Sequence, residues 1–305
     1  MFINKKTVPS GDLSSNTKDP LERKRSINRI INETTEFDII ESYKAARTNI
    51  MFSLNSEKGC KKVVITSATS GEGKSTFCIN IAKTFAQTGA KVLIMDADLR
   101  APRVHKYLKL DNEKGLSNVL AGFDGLDACI SHTDDENLDC ITSGAIPPNP
   151  VELLSSEEMT VTLGKLSEVY DYVFLDTPPI NIVTEALLLS KMATGVVLVA
   201  RQKYTMYKVL ERAVNALKFA EAKILGVILN DADDKYIYGG YRSEGGYRYR
   251  SRKRGRYGSR YGYYGSYRQS AEEFRKKKEV EAKTKDEQND KKVTSDKKEK
   301  TDQKK

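Results

Sequence analysis

The sequence predicts an α/β fold, a doubly wound and mostly parallel sheet with helices on both faces. Three observations carry that expectation. Residues 63–67, 92–95, 172–175, 196–200 and 224–229 are near-continuous Val/Ile/Leu runs, which mark strands covered on both sides. The stretches between them place apolar residues at three- and four-residue steps, the period of a helix packed on one face. Between the first strand and its helix lies Ala68-Thr69-Ser70-Gly71-Glu72-Gly73-Lys74-Ser75-Thr76, a small-residue loop running into Lys-Ser-Thr.

Taken in order, residues 1–36 are polar and lack a sustained period, so they read as a mobile arm. From Phe37 the positions Ile39, Ile40, Tyr43, Ala46, Ile50 and Leu54 make a helix over 37–54. Glu41, Lys44 and Arg47 sit three apart on it, a charged ridge with the acid N-terminal to the cations. The first strand, the loop and a helix carrying Phe77, Ile79, Ile81, Phe85 and Ala86 follow, with Gly89 as helix stop. Lys91–Met95 forms a second strand, and 111–126 reads as a short helix and turn. Asn137–Ser143 reads as a strand, and three prolines make 144–150 a rigid loop. One helix is expected over 152–169 and a strand over 172–175. Helix 183–192, strand 195–201, helix 206–220 and strand 223–230 complete the domain, which spans 37–234.

The loop has the residue types that phosphate binding requires. Small residues let backbone N–H groups point at a polyphosphate, and the helix N-terminus adds partial positive charge. In such a P-loop, residues 69–76 cradle the nucleotide, Lys74 reaches the β- and γ-phosphates, and the Ser75 hydroxyl ligates Mg²⁺. The strict pattern has Gly where this chain has Ala68. Downstream, Asp96 and Asp98 with Arg100 fall at one strand's carboxyl end, and Asp176 at another's. Ligands of open α/β sheets sit at those ends. Carboxylates beside a nucleotide suit Mg²⁺ and the orientation of an incoming hydroxyl.

The net charge of +9 is unevenly spread: Lys235 to Lys305 holds 23 Lys/Arg and 11 Asp/Glu, so the tail carries +12 and the rest −3. Basicity therefore belongs to the tail and not to the site. Ten tyrosines lie between Tyr236 and Tyr267 among Arg, Gly and Ser, a composition that builds no core, so 235–305 is expected to be disordered. Interleaved Arg and Tyr suit either stacking on single-stranded nucleic acid or a phosphoacceptor cluster. No apolar run approaches the roughly 20 residues of a membrane-spanning helix, and the N-terminus has no signal-peptide core, so a cytoplasmic chain is expected. Cys60, Cys78, Cys129 and Cys140 lack metal-ligand spacing and read as reduced thiols. His105 and His132 are isolated, and no role is assigned to them.

Together these pieces resemble the bacterial tyrosine kinase (BY-kinase) family, in its separate cytoplasmic form of capsule and exopolysaccharide synthesis. The carrying residues are 41–49 (Glu-Ser-Tyr-Lys-Ala-Ala-Arg-Thr-Asn), 70–76, Asp96-Ala97-Asp98-Leu99-Arg100, Pro147-Pro148-Asn149-Pro150, Asp176-Thr177-Pro178-Pro179 and the tyrosine cluster. The resemblance spans about 38–231, with the tail matching by composition only. It implies a Walker A motif at 68–75, where alanine at the first position is usual, Asp96 and Asp98 as Walker A′, and Asp176 as Walker B. It implies ATP and Mg²⁺ as cofactors, with Ser75, Asp96 and Asp176 holding the metal and Asp98 or Asp96 accepting the phenol proton. Arg100 would add positive charge, and Asn230 would lie near the adenine. The Glu41/Lys44/Arg47 ridge resembles an oligomerisation motif in which Lys44 replaces an arginine, at the cost of bidentate pairing. Tyr257, Tyr261, Tyr263, Tyr264 and Tyr267 would be phosphoacceptors. Implied partners are a ring-like homo-oligomer, a membrane activator that recruits the kinase to the plasma membrane, and a cognate tyrosine phosphatase, with nucleic acid not expected. The alternative is a partitioning or division-site ATPase switch. That clan carries a second lysine at the position of Thr69, which this chain lacks.

Overall fold

The computed structural model describes residues 29–232. The tail and its tyrosines lie outside the described residues, as do residues 1–28 of the arm. In chain order the elements are α1 (Phe37–Ser53), β1 (Lys61–Ser67), α2 (Lys74–Ala86), β2 (Val92–Asp96), α3 (Val104–Leu108) and α4 (Leu116–Leu120). Then come a 3₁₀ turn (Leu126–Cys129), β3 (Ile130–His132), β4 (Leu138–Ile141), α5 (Pro150–Leu154), α6 (Glu157–Val169) and β5 (Tyr172–Asp176). The last are α7 (Glu185–Ser190), β6 (Gly195–Arg201), α8 (Tyr207–Phe219) and β7 (Ile224–Asn230).

The strands form one sheet in the order β3-β4-β2-β5-β1-β6-β7. All neighbours pair in parallel except β3, which runs antiparallel to β4 at one edge. The unbroken apolar runs are explained by two separate cores. Val63, Ile65, Val92, Ile94, Phe174, Val197 and Val199 face α1, α2 and α3, where Phe77, Ile81 and Phe85 pack on them. Val64, Leu93, Met95, Val173, Leu175, Val196 and Leu198 face the other way, onto α4 to α8, including Leu163, Leu166, Leu189 and Leu217. Alternating side chains of one strand thus serve both layers. The last run departs from this pattern. β7 is an edge strand whose Val227 and Leu229 are half exposed, because among the described residues no further element covers that margin.

Four boundaries differ from the sequence expectation. Residues 29–36, read as arm, belong to the folded unit: Ile30 and Ile31 are buried, and the Asn80 side chain accepts from the Ile31 N–H at 2.9 Å and donates to the Arg29 carbonyl. The helix expected over 152–169 is two helices, because the Ser156 side chain accepts from the Met159 N–H and starts α6 afresh. The short elements α3 and β3 had no sequence signal, being five and three residues long. Pro150 ends the rigid loop by occupying the first turn of α5, where its missing N–H costs nothing.

Candidate active site

β1, β2 and β5 are adjacent, and their register sets Asp96 opposite Asp176 and Asp176 opposite Ile65. Three carboxyl ends therefore converge on one place. The chain leaves β1 into the loop 68–73, and Gly73 takes φ +91°, a left-handed turn that aims the first N–H groups of α2 into the loop's concavity. A Cβ at Gly73 would stand 2.1 Å from Asn230 Nδ2, so the position admits only glycine.

Lys74 lies at the centre, its Nζ 2.9 Å from Asp98 Oδ2 and 3.4 Å from both Asp176 Oδ1 and the Ser75 hydroxyl. Burial alone would depress its pKa, but Asp176 and Asp98 outweigh it and the ammonium is held well above its ordinary value. Burial raises Asp176, with Lys74 and the Ser75 hydroxyl opposing. Burial and the neighbouring Asp176 push Asp96 up to about 7, against Lys74 and its own backbone hydrogen bonds. Those bonds are three: Asp96 accepts from the N–H groups of Asp98, Arg103 and Val104. Asp96 thereby folds the 97–104 turn, and Asp98 is carried by it to the lysine.

These groups fit a divalent cation. Three buried carboxylates share one lysine, and Asp176 Oδ2 is buried without a hydrogen-bond partner. Among the described residues no three His, Cys, Asp or Glu form a closed metal cage. Mg²⁺ takes one or two carboxylates and completes its shell with phosphate and water.

The site titrates in a calculable direction. A carboxyl group whose folded pKa lies near 7 and whose unfolded pKa lies near 4 holds a proton only in the folded state between those values, so stability falls as pH rises through that window. The metal-free protein is therefore expected to melt several degrees higher at pH 5.5 than at pH 8 in calorimetry, with Asp96→Asn flattening the dependence. A stability that rises over this range would show that Asp96 is ionised throughout.

Other residues of interest are placed differently. The Glu72 side chain is fully buried and turned away from the cradle, accepting from the Thr69 N–H at 2.8 Å and from the Thr205 hydroxyl. Thr69 thus has its N–H occupied within the loop. Asn230 donates to the Glu72 carbonyl at 2.9 Å and braces the loop. The exposed Arg100 donates from Nε to Glu185 Oε1 at 2.5 Å, and Glu185 is buried with its second oxygen unpartnered. On α1, Lys44 pairs with Glu41 at 2.8 Å in solvent, while Arg47 donates to the Thr84 carbonyl of α2 at 2.5 Å. The ridge is therefore divided: two members face outward and the third clamps its own chain. Glu185, Tyr204 and Thr205 had no motif to mark them. Glu72 was visible in the loop, but its burial was not.

Comparison with known proteins agrees with this geometry. The family described as AAA domain matches residues 60–225. The chain is 44% identical over 190 residues to tyrosine-protein kinase YwqD of Bacillus subtilis, covering 62% of this chain and 80% of the relative. It is 37% identical over 212 residues to the putative tyrosine-protein kinase CapB of Staphylococcus aureus, covering 68% and 92%. The solved kinase domain of Escherichia coli tyrosine kinase ETK superposes with a TM-score of 0.63 at 32% identity, covering 75% of this chain and 86% of that one. With a lysine-centred phosphate loop, three converging carboxylates and kinases as its relatives, this chain belongs to the bacterial tyrosine kinase (BY-kinase) family and is an ATP- and Mg²⁺-dependent protein-tyrosine kinase.

Proposed function

We propose that the kinase phosphorylates the tyrosines of its own 236–267 cluster on a neighbouring copy, and that this regulates capsule or exopolysaccharide synthesis and export. The observation that carries the reading is the position of Lys74 between Asp98 and Asp176 at the mouth of the phosphate loop. A polyphosphate entering the cradle competes for the lysine with both carboxylates. Drawn to the β- and γ-phosphates, the ammonium leaves Asp98 with an unneutralised oxygen inside the site. That oxygen is suited to orient an acceptor phenol and take its proton as the new O–P bond forms. Ser75, Asp96 and Asp176 would hold Mg²⁺, which supplies the charge that neutralises the transferring phosphoryl oxygens. The backbone N–H groups of 70–75 and the N-terminus of α2 position the phosphates. Arg100, fixed by Glu185, adds positive charge at the rim. Asn230 keeps the loop's shape beside the nucleoside side of the site.

Deleting residues 236–305 tests the acceptor assignment. ATP binding is expected to persist while phosphotyrosine, read by mass spectrometry, falls by most of its amount. Full phosphotyrosine content in the truncated protein would place the acceptors in the folded domain. ATP hydrolysis by the intact chain without any phosphotyrosine would favour the partitioning-type switch.

Self-association through α1 is supported by the exposed Glu41–Lys44 pair. Replacing both with alanine is expected to shift the protein towards monomer in light scattering, whereas Arg47→Ala should mainly loosen α1 from α2 and lower stability. An unchanged mass distribution in the double variant would leave the pair as an ordinary solvated ion pair. Among the described residues no helix is long and apolar enough to cross a membrane. Recruitment to the inner membrane face by a separate membrane activator, and removal of the phosphates by a cognate phosphatase, belong to the same proposal.

A further inference from the structure

Among the described residues the exposed tyrosines are Tyr204 and Tyr207, and Tyr204 lies on the phosphate loop itself. Lys203 takes φ +58°, a turn that brings Tyr204 back over the loop. Its hydroxyl donates to the Ser70 carbonyl at 3.0 Å, and a Cβ at Gly71 would stand 3.3 Å from its oxygen. The ring is still 53% exposed. The next residue, Thr205, donates to the buried Glu72 carboxylate, which in turn fixes the Thr69 N–H. Thr205 also accepts from the Arg201 N–H. The 201–205 turn therefore holds the loop in shape from outside at two points, Ser70 and Glu72.

A counter-charge stands beside the ring. The Arg201 guanidinium carbon lies 5.6 Å from the Tyr204 ring centroid, and its Nε and Nη2 both donate to Asp231. Asp231 follows Asn230, the residue that braces the Glu72 carbonyl. A dianionic group on Tyr204 would be a stronger partner for Arg201 than Asp231 is, because arginine pairs with phosphate through two parallel donors.

We propose that Tyr204 is itself an acceptor of the γ-phosphoryl group, and that its phosphorylation unlatches the phosphate loop and weakens nucleotide binding. In the transfer, the bond between the γ-phosphorus and the β,γ-bridging oxygen breaks and a bond to Tyr204 Oη forms. The phenolic proton goes to a carboxylate of the catalysing site on a neighbouring copy and then to solvent, and ADP leaves. The modified residue has no hydroxyl to give Ser70. It carries about −1.5 to −2 charges against the phosphate loop, and it draws Arg201 away from Asp231. The two arrangements of Arg201, with Asp231 or with the phosphate, are the two states of the switch.

The inference rests on the kinase reading of the same site, and one experiment separates the two. The full chain is incubated with Mg²⁺ and ATP, its phosphotyrosines are mapped by mass spectrometry, and Mg-ADP affinity is measured by calorimetry before and after, for wild type and Tyr204→Phe. The phenylalanine keeps the ring packing, so folding is retained. The expected result is phosphate on Tyr204 and an ADP Kd raised about tenfold in wild type, the scale of one charge-assisted contact. Tyr204→Phe should show an unchanged Kd on the same treatment although its tail is phosphorylated. A phosphorylated tail with Tyr204 unmodified would overturn the inference and leave the kinase reading intact, as would an equal Kd shift in both proteins. Absence of phosphotyrosine anywhere in the chain would overturn both.

Discussion

Lys74→Met is expected to lower phosphotyrosine formation by about a thousandfold or more, because it removes the cation that meets the transferring phosphates. The structure adds a second consequence that the motif alone did not suggest. Lys74 is also the counter-ion of Asp98 and Asp176, and Asp96 lies in the same buried cluster. Methionine fills the space but leaves those carboxylates unpaired, at a cost of about 3–5 kcal/mol at neutral pH. Part of that cost is relieved when Asp96 and Asp176, both already raised by burial, take up protons. Carboxyl groups raised in the folded state bind protons that the unfolded chain releases above about pH 4, so the variant's stability deficit should widen as pH rises. Two measurements check this: phosphotyrosine content, and melting temperature at pH 6 and pH 8. Wild-type autophosphorylation by Lys74→Met would remove Lys74 from the mechanism, and a deficit independent of pH would remove it from the acid cluster.

Gly115→Ala is expected to be strongly destabilising for the change of a single methyl group. Its backbone is extended, so the conformation itself is ordinary. The obstacle is space: a Cβ there would stand 2.2 Å from the Gly144 nitrogen and 2.3 Å from the Thr142 carbonyl oxygen. Both are backbone atoms, held by bonds from Leu116 to Thr142 and from Ser117 to Ser143. The Asn112 side chain also accepts from the Gly144 N–H and donates to its carbonyl. No side chain can swing aside, so the crossing of the two segments must open, at about 3 kcal/mol or more. Gly164→Ala is the matched control, since the new methyl meets nothing within 4 Å inside α6 and should stabilise by about 0.5–1 kcal/mol. Urea unfolding of the pair checks both signs, and equal effects would mean that the 115–144 crossing yields freely.

The layers of the sheet and the centre of the site were legible because both are written in local patterns. Unbroken apolar runs gave the strands, and Lys74, Asp96, Asp98 and Asp176 each follow a strand end that the pattern located. The pieces that were not legible depend on contacts between distant segments. Glu185 lies 85 positions from the Arg100 it holds, and Thr205 133 positions from the Glu72 it meets. Neither sits in a spacing that marks it. Arg47 illustrates the reverse: its spacing with Glu41 and Lys44 was visible, but which of the three turns inward is set by the Thr84 carbonyl on another helix. The break before α6 was written in Ser156, whose capping role competes with a continuous apolar period across the same residues.

The docking of residues 29–31 has a mechanical meaning. Asn80, in the middle of the helix that begins at Lys74, holds the Arg29 carbonyl, the Ile31 N–H and the Tyr43 hydroxyl, and Lys83 one turn on donates to the Ile31 carbonyl. The segment is thus moored to the same rigid rod whose other end presents the phosphate-binding N–H groups. Residues 29–31 and the phosphate-binding N–H groups are supported by one helix, the former from its middle and the latter from its start.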